Sequence, residues 1–371
     1  MTQVESIVLC LVRSAFGEEI RMNPPSKTDW PEVFELSSLH GLGAITFDGI
    51  QACFLSNPTF VASLDTPENK SLKYDWFGAG LSAEVDYEKH RDAIADLATF
   101  YAKEGIKMML LKGYGLSLNY PIPDHRPMGD IDVYLFGLGQ KADDAVRLQT
   151  GAKVKQNDDK HSTFQFEGVT VENHASFINA KVHPDLERLD VCLKSEAVHD
   201  VPLRLKTKKG DNVIVYLPSH TANALFLPFH CASHFVHGEA LLRQLCDWAC
   251  FVRKYGKDIN WNFVWTEAEA AGFEKFYCCL NGIVERYLGV PEDVLPSWPR
   301  YSSLEEKVLC EVFNQGPAKK LSLLGKIHRF FSSSWKYKLV YREGMMSTFI
   351  RKVKSYCRFN DESAKSLWEL E

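Results

Sequence analysis

Apolar residues recur at helical spacing through the first hundred positions of the chain. Residues 4–15 carry them at intervals of three and four, which predicts an amphipathic helix. Asp29 ahead of Pro31 marks a second helix start, and Val33, Leu36 and Leu39 continue it toward Gly41. Residues 44–55 suit another helix, closed by Asn57 and Pro58, after the break at Pro24 and Pro25. The longest helical pattern is 82–104, with Ile94, Leu97 and Tyr101 on one stripe and Gly105 at its end. This helical region is expected to brace a core built from the middle of the chain. Beyond Gly105 the elements shorten. Strands are predicted at 106–111, 131–136 and 152–156, and helices at 113–119 and 140–149. Residues 164–166 and 169–175 alternate around Glu167-Gly168, the pattern of a hairpin. The basic run 204–209 is predicted to be a solvated loop ahead of a strand at 213–217. From Pro218 the spacing is helical again, over 221–237, 241–255, 264–271, 274–288 and 304–313, with Pro228 expected to kink the first of these.

Composition adds limits to this picture. A chain of 371 residues suggests two or three domains, and 45% hydrophobic with 25% charged residues supplies an ordinary globular core. The net charge of −5 disfavours a long nucleic-acid substrate, which would call for a basic surface. The basic and aromatic segments 319–338 and 342–358 have the mixture that can grip nucleic acid by charge and stacking, but are expected to be amphipathic helices whose long side chains cover apolar surface. The N-terminal stretch lacks a basic region and a long enough apolar run for a signal peptide, and no apolar stretch has the length of a membrane span. A soluble, cytoplasmic protein is expected. The ten cysteines form no C-x-x-C pair and are scattered, so they are expected to be small buried hydrophobes, not a disulfide framework.

The chemistry concentrates in 110–137. The apolar run 108–111 leads into Lys112-Gly113, which opens a short helix; free N–H groups at a helix start suit phosphate. After a proline-rich turn comes Gly129-Asp130-Ile131-Asp132. In a strand Asp130 and Asp132 point the same way, with Cα atoms ~6.6 Å apart, while Ile131 and Val133 face a core. Two like charges on one face call for a cation, and Mg²⁺ takes one or two carboxylates together with substrate phosphates. Gly129 permits close backbone approach.

These residues resemble the nucleotidyltransferase superfamily that includes DNA polymerase beta. In it a glycine turn opens a helix and the next strand carries the acids. More closely they resemble a bacterial uncharacterised nucleotidyltransferase family with the pattern L-K-G followed by Y-P-x-P-x-x-R-x-x-G-D-I-D. The agreement is at Leu111, Lys112, Gly113, Tyr120, Pro121, Pro123, Arg126, Gly129, Asp130, Ile131 and Asp132, and it extends more loosely over residues 33–262. Lys112 stands where the broader superfamily has Gly-Ser, a trait of the closer family. The resemblance implies an α+β fold. A small mixed-sheet nucleotidyltransferase core over 106–217 would be flanked by an N-terminal helical region, 1–105, and a C-terminal helical domain, 218–371. It also implies in-line transfer of a nucleoside monophosphate, AMP from ATP, to a hydroxyl acceptor with Mg²⁺ or Mn²⁺. Asp130 and Asp132 would be metal ligands. Lys112, with the N–H groups of Gly113 and Tyr114, would hold the β- and γ-phosphates, and Arg126 would stabilise the leaving pyrophosphate.

A third carboxylate is expected on a neighbouring strand. The family has an acid followed two positions later by histidine, which Glu172-Asn173-His174 reproduces, with Asn173 where an apolar residue is usual. Glu172 would then be the third catalytic acid and metal ligand, and His174 would touch the nucleotide or orient a carboxylate. Asp190, flanked by Leu189 and Val191, is the competing acid, although its run also suits a helix that pairs it with Lys194. His230 and His234 stand at i and i+4, a zinc spacing, but without the glutamate of H-E-x-x-H; packing or contact with the cleft is the expected role. Asp247 is a brace for one of those histidines. Two other classes remain open: a non-catalytic nucleotide-binding regulator on the same fold, and an enzyme acting on RNA ends.

Overall fold

The computed structural model describes residues 1–19, 28–156, 161–180, 186–314 and 332–342, with positions 344, 346, 347 and 350. Pro24 and Pro25, the first part of 319–338, most of 342–358 and the tail beyond lie outside the described residues.

Alternation along the middle of the chain builds one mixed sheet. Its strands are β1 (Met109–Leu110), β2 (Ile131–Tyr134), β3 (Lys155–Gln156), β4 (His161–Phe166), β5 (Val169–His174), β6 (Val201–Lys206) and β7 (Asn212–Leu217). They lie in the order β3-β4-β5-β2-β1-β7-β6. The pairs β2–β5 and β1–β7 are parallel and the rest antiparallel. Glu167 and Gly168, with φ of 49° and 74°, close the β4–β5 hairpin in a two-residue turn that needs positive φ at both positions. The basic run is not the expected loop: Arg204, Leu205 and Lys206 pair with β7 in the edge strand β6, and only the following residues turn. An edge strand tolerates Arg and Lys because half its side chains face solvent, where such charges also discourage pairing with another chain.

The two faces of this sheet have different fates. Leu110, Ile131, Val133, Val169 and Val171 face a core closed by Ile94, Leu97 and Tyr101 of α5 (Lys70–Lys103) and by Ala142 and Val146 of α7 (Gly139–Thr150). Asn173 falls on this apolar side and is buried. Its amide is satisfied there by Asp143 Oδ1 at 2.7 Å and by the Tyr101 hydroxyl at 2.9 Å. The opposite face carries Met109 and Tyr134 into a second core, and Asp132, Glu172 and His174 toward a cleft.

That second core is shared by the helices from both ends of the chain. It joins α1 (Gln3–Ala15), α2 (Trp30–Leu39), α3 (Gly43–Ser56) and the short α4 (Pro58–Val61) to α9 (His220–His237), α10 (Leu242–Tyr255), α11 (Trp261–Ala271), α12 (Glu274–Leu288), α13 (Ser302–Phe313) and α14 (Ser334–Tyr341). Helix α1 lies tightly on α3: a Cβ added at Gly49 would stand 2.0 Å from the carbonyl oxygen of Leu11. On its other side Arg13 donates to the carbonyl of Arg286 at 3.4 Å. Helix α5 extends well beyond the expected 82–104. Its first turns present Tyr74, Phe77, Leu81 and Val85 to solvent, so their apolar spacing marks no core face, and Gly78 and Gly80 weaken the helical signal. Helix α6 (Tyr114–Ser117) and α8 (Glu187–Glu196) complete the order. All nine described cysteines are free, six of them buried. No described helix is long and apolar enough to cross a membrane.

Candidate active site

Strand β1 ends at Lys112-Gly113, where Gly113 has φ 59° and hands the chain to α6. After the 3₁₀ turn Pro123–His125 the chain enters β2. The parallel register sets Asp132 directly opposite Glu172, and Tyr134 opposite His174. Asp132, Glu172 and His174 thereby bring one ligand atom each within 4.8 Å of one another. His174 Nε2 lies 2.9 Å from Asp132 Oδ1 and 3.3 Å from Glu172 Oε2. Lys112 Nζ is 2.9 Å from the same Asp132 oxygen. His161 stacks on His174 at 5.4 Å, with its Nε2 3.6 Å from Glu172.

Asp132 is buried, and burial alone would raise its carboxyl; the Lys112 ammonium and the His174 hydrogen bond overcome this and hold it well below the usual carboxylate range. Asp130 differs. It stands exposed just ahead of β2, and partial burial of its carboxyl, followed by repulsion from Glu172 and Asp132, pushes it up. The turn that carries it is clasped from α5: His90 Nε2 meets the Gly129 carbonyl at 2.6 Å.

These groups line a cleft of about 500 Å³ whose far wall comes from α9 and α10. Lys112, Gly113, Arg126, Gly129, Asp130, Asp132, His161 and Glu172 form one side, and Leu227, His230, His234, Glu239, Arg243, Gln244 and Asp247 the other. His174 lies beneath the floor, within reach of Asp132. Tyr114 does not line the cleft; its ring is buried against Tyr87, centroids 5.0 Å apart. Asp190 is elsewhere too. Buried in α8, it accepts from the N–H groups of Phe177 and Ile178 at 2.8 and 3.0 Å and pairs with Lys194 at 2.8 Å.

Arg126 is buried with its guanidinium turned onto Asp247, Nε to Oδ1 at 2.7 Å and Nη2 to Oδ2 at 2.9 Å. The Tyr120 hydroxyl adds a third bond to Asp247 at 2.8 Å. Asp247 therefore braces Arg126 and Tyr120, not a histidine as expected. His230 and His234 meet edge to face at 4.5 Å, and His234 Nδ1 is 3.2 Å from Glu239. They form no metal cluster among the described residues; the group that could hold an ion is Asp132, Glu172 and His174.

Residues 26–289 match the family described as uncharacterised nucleotidyltransferase. The chain belongs to that family. No curated protein and no solved structure matches it. Membership makes the protein a transferase that acts on a nucleotide, and nucleotidyltransferases generally use a divalent metal. The donor set fits such an ion: two carboxylates and one imidazole converge, with Asp130 at the rim of the same cleft. Across the whole lining, five carboxylates face three fixed cations, an excess of −2 that one divalent ion would cancel.

Sequence reasoning did not single out Arg243, Gln244, Glu239 or His161. The first two sit in the opening turn of an amphipathic helix, where Arg and Gln are ordinary surface residues. Only the packing of α10 against α9 and α6 brings them into the same cleft as the acids.

Proposed function

We propose that the protein is a metal-dependent nucleotidyltransferase that moves a nucleoside monophosphate, AMP from ATP, to a hydroxyl acceptor on a small molecule or a protein. The observation that carries this reading is the parallel β2–β5 register, which seats Asp132 against Glu172 over His174 inside a cleft of nucleotide size. Asp130, Asp132 and Glu172 are the proposed metal ligands, with Mg²⁺ or Mn²⁺ as the ion. When bound, the ion neutralises phosphate charge and acidifies the acceptor hydroxyl.

The chain's own groups do the rest. His174 fixes the Asp132 carboxylate by its hydrogen bond. Lys112, held on Asp132, lines the cleft where its ammonium can meet a phosphate, and Gly113 and Gly129 border that cleft without side chains. Arg126, pinned by Asp247, adds positive charge from beneath the cleft. The acceptor oxygen bonds to the α-phosphorus as the bond to the bridging oxygen breaks. Pyrophosphate leaves with that electron pair, and the hydroxyl proton passes to Glu172 or to solvent. A nucleic-acid acceptor fits poorly with a net charge of −5 and an acid-rich cleft. Free, mostly buried cysteines suit a cytoplasmic setting.

The test is incubation of the full chain with each labelled nucleoside triphosphate, Mg²⁺ and a fractionated cell lysate, reading label transfer and pyrophosphate release together. A labelled acceptor whose formation stops with Asp132→Asn supports the proposal. Nucleotide binding with no transfer from any donor into any fraction would favour the regulatory alternative.

A further inference from the structure

Three fixed cations line the cleft, and two of them are engaged. Lys112 lies on Asp132, and Arg126 gives two N–H groups to Asp247 and a third to the Pro127 carbonyl at 2.9 Å. Arg243 is different. Among the described residues it forms no hydrogen bond and no ion pair, though it is half-buried and lines the cleft. Its stem is held in place. A Cβ at Gly41 would stand 3.8 Å from its Cδ and 3.9 Å from Nη1, and the same point lies 3.4 Å from Pro127. The start of α10 is fixed on both sides: Leu241 N–H donates to Gln244 Oε1 at 2.6 Å, and Leu242 N–H donates to His40 Nδ1 at 3.3 Å. Burial lowers the His40 imidazole to about 4, so it stays a neutral acceptor.

A half-buried guanidinium with no hydrogen bond or ion pair of its own leaves its N–H groups available to an entering anion. Burial, followed by repulsion from Arg126, already lowers the Arg243 guanidinium, while Asp247, Tyr120 and Asp130 oppose that shift. Asp130 is an electrostatic neighbour of both Arg243 and Glu172, and so stands where the acid cluster joins the arginine end of the cleft. A triphosphate with its α-phosphorus at the acid cluster would run its outer phosphates toward that end. We propose that Arg243 receives the terminal phosphates of the nucleotide and holds the pyrophosphate as it leaves. The proposal rests on the nucleotidyl-transfer reading of the cleft, and takes the phosphate-facing role from Arg126, whose fork is committed to Asp247.

The test is calorimetric titration of the full chain with magnesium pyrophosphate and, separately, with a nucleoside monophosphate. A charge-assisted contact of this kind predicts that Arg243→Gln weakens pyrophosphate binding about 10- to 100-fold. Monophosphate binding should stay within about twofold and the melting temperature should change little, because no hydrogen bond or ion pair has been removed. Arg243→Lys, which keeps charge but loses the fork, should fall between and guards against a glutamine variant that does not fold. The inference is overturned if the wild type binds no pyrophosphate, if both variants bind it like the wild type, or if monophosphate is lost equally. If pyrophosphate binding depends on Arg243 but no transfer is ever detected, the inference stands and the transfer reading falls.

Discussion

Asp247→Ala tests the buried centre of the cleft wall. The carboxylate accepts three hydrogen bonds, two from Arg126 and one from Tyr120, and the side chains of the pair are 6% and 9% exposed. Exposure decides the magnitude. A surface pair would be worth about 0–1 kcal/mol, but removing one member of a buried pair strands the other charge and costs about 3–5 kcal/mol. For a chain longer than 250 residues, each kcal/mol moves the melting temperature by about 2 °C, which gives a fall of about 6–10 °C. The double substitution Arg126→Met with Asp247→Leu removes both charges and should recover most of that loss. Differential scanning calorimetry of wild type, single and double variants measures all three. A single variant within about 2 °C of wild type, or a double variant no better than the single, would refute the assignment of a stranded charge.

Asp130→Asn and Asp132→Asn should both abolish pyrophosphate release yet differ in stability. Asp132→Asn strips the partner of Lys112 and His174 and should cost about 1.5–3 kcal/mol, while Asp130→Asn relieves repulsion and should leave the melting temperature level or higher; near-normal turnover in either would sink the metal-ligand assignment. Glu172→Gln should lower activity by about 10² or more, whereas Asp190→Ala should spare turnover per folded molecule but cost about 2–4 kcal/mol through two unpaired N–H groups and a lost ion pair, read by parallel kinetics and melting. His125 bonds Asp48 of α3 and Glu84 of α5, and its hydrogen bond to Asp48 outweighs burial to raise it to about 8. Its contribution is complete below the unfolded value near 6.5 and disappears as pH rises through 8. Screened, it amounts to about 1 kcal/mol, and a melting-temperature pH series in which wild type and His125→Gln fall in parallel from pH 6 to 9 would refute it.

What could be read from the chain was local. The order Lys112-Gly113, proline turn, Gly129-Asp130-Ile131-Asp132 announces a strand, turn and acid-bearing strand because each step has its own backbone chemistry. Alternation placed Glu172 and His174 on one face without any knowledge of the partner strand. Asp130 was harder: it precedes β2, so strand geometry does not govern it. The basic run 204–209 misled because charge says nothing about pairing at a sheet edge. The α10 wall was hidden altogether, since Arg243 takes its place from the approach to Gly41 and from the Leu242–His40 hydrogen bond, about two hundred residues earlier in the chain.

The shared core of the terminal helices also bears on how the chain is made. Arg13 meets a carbonyl 273 positions later, and Glu18 an arginine 235 positions later. At translation rates of 5–20 residues per second, α12 follows α1 out of the ribosome by about 14–55 seconds. Throughout that interval the part of α1 that packs against α12 has nothing to cover it. The mixed sheet is synthesised in the middle of this wait. A nascent chain of this design therefore completes its second core only after the late helices have emerged.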